Sequence, residues 1–122
     1  MRFLSMIRVE ETGQIPSEKL MQDMGKLIDD MISEGSLIST AGLRPSSEGV
    51  RVRSRFGKLS RTDGPFTESK EVIGGYAMLE AKSMQEAIAL TERFLRIHGT
   101  EWNLECEIRP LDGPEFECGK GV

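Results

Sequence analysis

The chain has 122 residues, of which 38% are hydrophobic and 30% charged, the make-up of one ordinary globular domain too short to divide into two cores. Its net charge of −4 argues against direct binding of nucleic acid, and the absence of any run of about eighteen apolar residues argues against a membrane span. Two cysteines, Cys106 and Cys118, are too few for a disulfide framework and lack His or Cys neighbours at metal spacing, so a reducing cytoplasmic setting with no metal or cofactor is expected.

Residues 2–9 alternate, with Phe3, Ile7 and Val9 on one face and Leu4 and Met6 on the other, and predict a short strand whose two faces are both partly apolar. Arg8 and Glu10 break the run and no small-residue cleavage site follows, so it does not read as a signal peptide. After a polar connection through Gly13 and Pro16, Ser17 is placed to cap a helix, with Glu18 near the positive end of its dipole. Leu20, Met24, Leu27, Ile28 and Met31 then recur at helical spacing, and Gly35 is a natural stop. The methionines suit a core that fills irregular gaps.

Leu37 to Leu43 predicts a second strand, closed by Pro45, Ser46 and Ser47. Next comes a hairpin, in which Val50, Val52, Ser54 and Phe56 alternate with Arg51, Arg53 and Arg55, Gly57-Lys58 turns, and residues 59–62 return. The three arginines read either as a phosphate-binding strip or as a solvated face set against acidic neighbours. The acidic chain and the lack of interleaved aromatics favour the second.

Asp63-Gly64 is a turn dipeptide, and Pro65 fixes its own φ ahead of Phe66, a large apolar group on a stiff loop. Glu68, Lys70 and Glu71 follow before a strand that sets Ile73, Gly75, Ala77, Leu79 and Ala81 on one face and Val72, Gly74, Tyr76 and Met78 on the other. The Gly74-Gly75 pair permits close approach by a backbone or ligand. Ser83 and Glu86 form a capping box, and Met84, Ala87, Ile88, Thr91, Leu95 and His98 trace one helical face that Gly99 ends. Trp102 and Asn103 fall in a loop, and Leu104, Cys106 and Ile108 alternate with Glu105, Glu107 and Arg109 in a last strand to Pro110. The domain is expected over residues 1–111, with residues 112–122 a tail along the surface.

Two helices, each following a strand, predict two related β-α-β halves: an α+β, ferredoxin-like fold with an antiparallel sheet and both helices on one face. The bare face of that sheet carries Met6, Tyr76 and Met78. An exposed apolar face needs a partner, so a homodimer joined sheet to sheet, enclosing a pocket between the sheets, is expected.

Residues Asp63-Gly64-Pro65-Phe66-Thr67-Glu68-Ser69-Lys70-Glu71, followed by Val72-Ile73-Gly74-Gly75-Tyr76, resemble the signature of the DGPF (DGPFAETKE) family, within the YCII-related proteins. Thr67 and Ser69 stand where Ala and Thr are commoner, Glu105 to Pro110 resembles the family's closing segment, and the resemblance spans residues 2–111. It implies a dimeric α+β barrel of ferredoxin-like protomers, similar in fold to muconolactone isomerase. Related proteins carry a His–Asp pair proposed to be catalytic; the single histidine here is His98, late in the second helix, so that mechanism does not transfer. Some members are encoded with, or fused to, extracytoplasmic-function sigma factors, which implies a regulatory or sensing role.

Two classes of function stay open. In the enzymatic one, Asp63, Glu68 and Glu71 handle protons next to a carbonyl or lactone, while Phe66, Lys70, Tyr76 and His98 hold the molecule. In the other, the same pocket binds a metabolite without turnover, and the dimer signals to a partner. Each residue also has a structural reading: Asp63 as a turn cap, Phe66 as a loop anchor, the charges as a solvated cluster, His98 as a satisfied helix-end histidine. No P-loop, dinucleotide fingerprint or nucleophile–base pair is present.

Overall fold

A computed structural model describes residues 1–66 and 70–112 of the chain. Its elements are β1 (Arg2–Val9), α1 (Glu18–Ser33), β2 (Leu37–Gly42), β3 (Val50–Arg55), β4 (Lys58–Asp63), β5 (Val72–Glu80), α2 (Met84–Arg96) and β6 (Leu104–Pro110), with a 3₁₀ turn at Ser46–Glu48. The expected tail lies, beyond Asp112, outside the described residues. Among the described residues no helix is long and apolar enough to cross a membrane.

Both helices start where a serine can cap them. Ser17 Oγ accepts from the Leu20 amide at 3.1 Å, and Ser83 Oγ from the Glu86 amide at 3.2 Å, each satisfying one of the orphan donors of a first turn. Past α1 the chain reverses at Gly35, whose φ of 78° is open to glycine at little cost. Arg93 of α2 clamps this end, donating to both Glu34 carboxylate oxygens at 2.8 and 3.1 Å.

The main sheet has the order β2-β5-β1-β6, with every neighbouring pair antiparallel. Each β-α-β half leaves a gap that a strand of the other half fills, the split arrangement of a ferredoxin-like α+β fold. Pairing sets Phe3 opposite Leu79 and Ser5 opposite Ala77, on the face that packs against Leu27, Ile28, Met31, Met84, Ala87 and Leu90 of the helices. Phe3 and Leu79, 1% and 2% exposed, anchor this core, and each such side chain contributes about 1.5–3 kcal/mol by its burial.

The opposite face carries Leu4, Met6, Tyr76 and Met78, paired Leu4 to Met78 and Met6 to Tyr76. The β5 alternation expected from sequence fails at one point. A bulge between Ile7 and Arg8 pairs Ile7 with Gly75 but Arg8 with Ile73, so Ile73 crosses to the bare face, 46% exposed, and Val72 meets Val9 on the helix side. Gly74 and Gly75 allow this. A Cβ on Gly74 would stand 2.6 Å from a Val9 methyl, and one on Gly75 2.9 Å from the Ala41 carbonyl oxygen. The glycine pair therefore admits neighbouring strands.

Strands β3 and β4 form a separate two-stranded sheet. Its register places Arg51, Arg53 and Arg55 with Lys58, Ser60 and Thr62 on one face. Of the acidic neighbours expected there, none forms an ion pair with Arg53 or Arg55 among the described residues; Arg53 donates instead to Thr62 Oγ1 at 2.9 Å.

Candidate functional site

The candidate residues fall in three places. Asp63 ends β4, opposite Val50 and exposed, and among the described residues no hydrogen bond is made by its carboxylate. The loop after it folds back on the 3₁₀ turn. The Gly64 amide donates to Gly49 O at 2.9 Å, the Gly64–Pro65 peptide is cis, and a Cβ on Gly64 would lie 1.7 Å from Ser46 O. No residue but glycine fits against that carbonyl.

Phe66 closes this corner. Its amide donates to Ser46 Oγ at 3.3 Å, and the Arg51 guanidinium carbon lies 3.9 Å from the centre of its ring. Ser46 is tied in turn to Glu11, whose carboxylate accepts from the Ser46 amide at 2.7 Å and from the Ser46 hydroxyl. Those two donors, hydroxyl first, hold the Glu11 carboxyl below the usual carboxylate range. Lys70 is exposed and borders, with Glu10, Glu11, Pro65 and Phe66, an open hollow of about 410 Å³. Glu71 stands 3.9 Å from Arg8, which also lies 3.9 Å from Glu105. Glu68 lies outside the described residues.

Tyr76 is on the bare face of the sheet, its hydroxyl 3.1 Å from Ser39 Oγ. His98 is on the other side, just past α2. Its Nδ1 is 2.9 Å from Phe94 O; since a carbonyl only accepts, Nδ1 carries the proton and, in the neutral ring, Nε2 is the acceptor. Edge-on aromatic contacts fix the ring, with centroids 4.7 Å from Phe94 and 6.2 Å from Trp102.

His98 lines a cleft of about 620 Å³ between the ends of β1, β5 and β6 and the helices. Met21, Met24 and Gly25 of α1 form one wall, Phe94, His98 and Trp102 another, with Val9, Gly74 and Leu104 of the sheet between them. Helical spacing explains the α1 wall, since residues 21, 24, 25 and 28 share a face. Gly25 widens it: a Cβ there would meet nothing within 4 Å. No Asp, Glu, Lys or Arg lines the cleft, and among the described residues no group of metal-ligating side chains converges anywhere.

The sheet thus separates Tyr76 from His98, while Asp63, Phe66, Lys70 and Glu71 gather around the corner at the base of the hairpin. Sequence reasoning missed Glu11 and Ser46, which meet across 35 residues and leave no local signal. Trp102 and the Met21–Met24 wall were also missed; an aromatic four residues after the lone histidine was the available clue.

The family model of the YCII-related domain matches residues 1–96. An uncharacterised protein of Rhizobium meliloti (strain 1021) is 27% identical over 94 residues, which cover 77% of this chain and 74% of that one.

Proposed function

The chain belongs to the YCII-related family, and from that premise we propose that it is a small-molecule-binding module, its ligand seated in the cleft beside His98 and Trp102. One observation carries this reading: the cleft is large enough for a metabolite, apolar, and furnished with one oriented imidazole and one indole, the composition expected of a binding pocket. The carboxylates that proton transfer would require, Asp63 and Glu71, do not line it. An enzymatic reading at this cleft would use His98 Nε2 as the base.

Trp102 is the single tryptophan of the chain, so its fluorescence reports on the cleft directly. Titration with a panel of small, largely apolar metabolites should give a saturable change for at least one. Gly25→Leu, which fills the cleft from α1, should abolish it, and Asp63→Ala should not. Binding that survives Gly25→Leu and disappears in Asp63→Ala would move the site to the hairpin corner and overturn the proposal.

We further propose that two copies join through the bare face. Leu4, Met6, Tyr76, Met78 and Ile73 share it, and paired charges rim it: Arg2 with Glu80, Arg8 with Glu71, Arg109 with Glu107. An apolar centre within a charged rim is the anatomy of an interface. Met78→Lys should convert a dimer into monomer or aggregate in sedimentation analysis; an unchanged dimer of unchanged stability would remove this arrangement.

A further inference from the structure

The cleft has a floor. Beneath it, between the sheet and both helices, lies an interior chamber of about 40 Å³. Ile7, Met24, Ile28, Thr40 and Phe94 are walls common to the two spaces. A chamber of this size holds roughly three water-sized probes, which suits the last few heavy atoms of a slender molecule and not a substituted ring.

The chamber is apolar except for three hydroxyls, those of Ser5, Thr40 and Thr91. Thr40 Oγ1 already donates to Tyr76 O at 2.8 Å. Ser5 and Thr91, 3% and 7% exposed, face each other with their oxygens 3.4 Å apart. That is long for a bond between hydroxyls, whose preferred separation is about 2.7–2.8 Å.

The hydrogen-bond arithmetic leaves capacity at Thr91. If Thr91 donates to Ser5, both Thr91 lone pairs are open to an incoming O–H. If instead Ser5 donates to Thr91, the Thr91 proton is open to an incoming carbonyl. The pair accommodates either polarity, and it lies among the otherwise apolar side chains that line the chamber.

Charge narrows the class further. Neither space is lined by Lys, Arg, Asp or Glu, so a carboxylate or ammonium at the tip would be buried without a counter-ion. We infer that the ligand is a slender uncharged molecule with an apolar body and one terminal oxygen, hydroxyl or carbonyl, which enters tip-first and hydrogen-bonds to Thr91 and Ser5. This rests on the cleft reading proposed above and names the chemical class of its occupant.

The test uses the full chain and four six-carbon probes: 1-hexanol, 2-hexanone, n-hexane and hexanoate, each titrated against Trp102 fluorescence and checked by thermal shift. The two neutral oxygen-bearing probes should bind about tenfold more tightly than hexane, the factor that one buried hydrogen bond supplies, and hexanoate should bind no better than hexane. Thr91→Val, nearly isosteric, should erase that preference while leaving the affinity for hexane unchanged; Ser5→Ala gives the same reading should Thr91→Val fail to fold. A preference intact in these variants would make the hydroxyl pair merely structural and overturn the inference, as would hexanoate binding as well as hexanol. Equal binding of all four probes, lost in Gly25→Leu, would keep the cleft and discard the ligand class. Binding of none would discard both.

Discussion

The body of the molecule and its hairpin are both β structure, yet they are held together by different means. In the body, β1 and β5 bury Phe3 and Leu79 against two helices, and stability comes from apolar area removed from water. In the hairpin nothing comparable is buried: Val50, Val52 and Leu59 are 52%, 64% and 73% exposed, and every residue of β4 is exposed. An isolated two-stranded ribbon is marginal in water. Its base is fixed instead by a few polar and close contacts: Glu11 on Ser46, Ser46 on the Phe66 amide, Gly64 against the Ser46 carbonyl, and Arg51 over the Phe66 ring. The contrast teaches that the run Gly64–Phe66 ties the base of the hairpin to the 3₁₀ turn through close contacts with Ser46.

The comparison breaks most sharply where each region is attacked at its own support. Phe3→Ala should lower global stability by about 3–5 kcal/mol, the usual range for a truncated core phenylalanine, seen as a large drop in the denaturant midpoint. Gly64→Ala forces a Cβ into the Ser46 carbonyl and should cost about 2–3 kcal/mol, the upper part of the ordinary range for point changes. Its mark should be local: hydrogen exchange rising in β3 and β4 ahead of β1 and β5. If Gly64→Ala lowers protection evenly throughout, the hairpin is not a separate unit.

The subtlest distinction is in pH. Glu11 has its carboxyl lowered in the folded state by the Ser46 hydroxyl and amide. A depressed carboxyl contributes stability that is full above its unfolded value, ordinarily about 4.5, and is lost as pH falls through the lower folded value. The hairpin base should therefore loosen on acidification below that ordinary value, before the core does, and Glu11→Gln should remove the pH dependence of hairpin protection. Hairpin exchange that follows the global transition at every pH would contradict this.

The same contrast explains what the sequence made legible. In the body, local pattern and tertiary structure agree. Ser17 caps the helix whose apolar spacing starts at Leu20, and the alternation of Phe3 with Leu4 gives the two faces of β1. The alternation misled at Ile73, because the bulge beside Gly74 inserts a residue without changing composition. The corner and the cleft are products of chain crossing. Nothing near Glu11 announces Ser46, and the spacing of Trp102 from His98 does not by itself say that Trp102 will line one cleft with Met21 and Met24 across the end of a sheet. Gly25 was passed over because a glycine within a helical pattern reads as a small local cost; its use shows only when the helix has a cleft beside it.

The seven methionines allow the central claim, that the ligand sits on the helix side of the sheet, to be read in one spectrum. Met21 and Met24 line the cleft, whereas Met6 and Met78 lie on the opposite face. With methyl-labelled methionine and 2-hexanone as the probe, the Met21 and Met24 signals should shift in a saturable way while those of Met6 and Met78 stay in place. Shifts confined to Met6 and Met78 would put the ligand between two sheets and contradict the account.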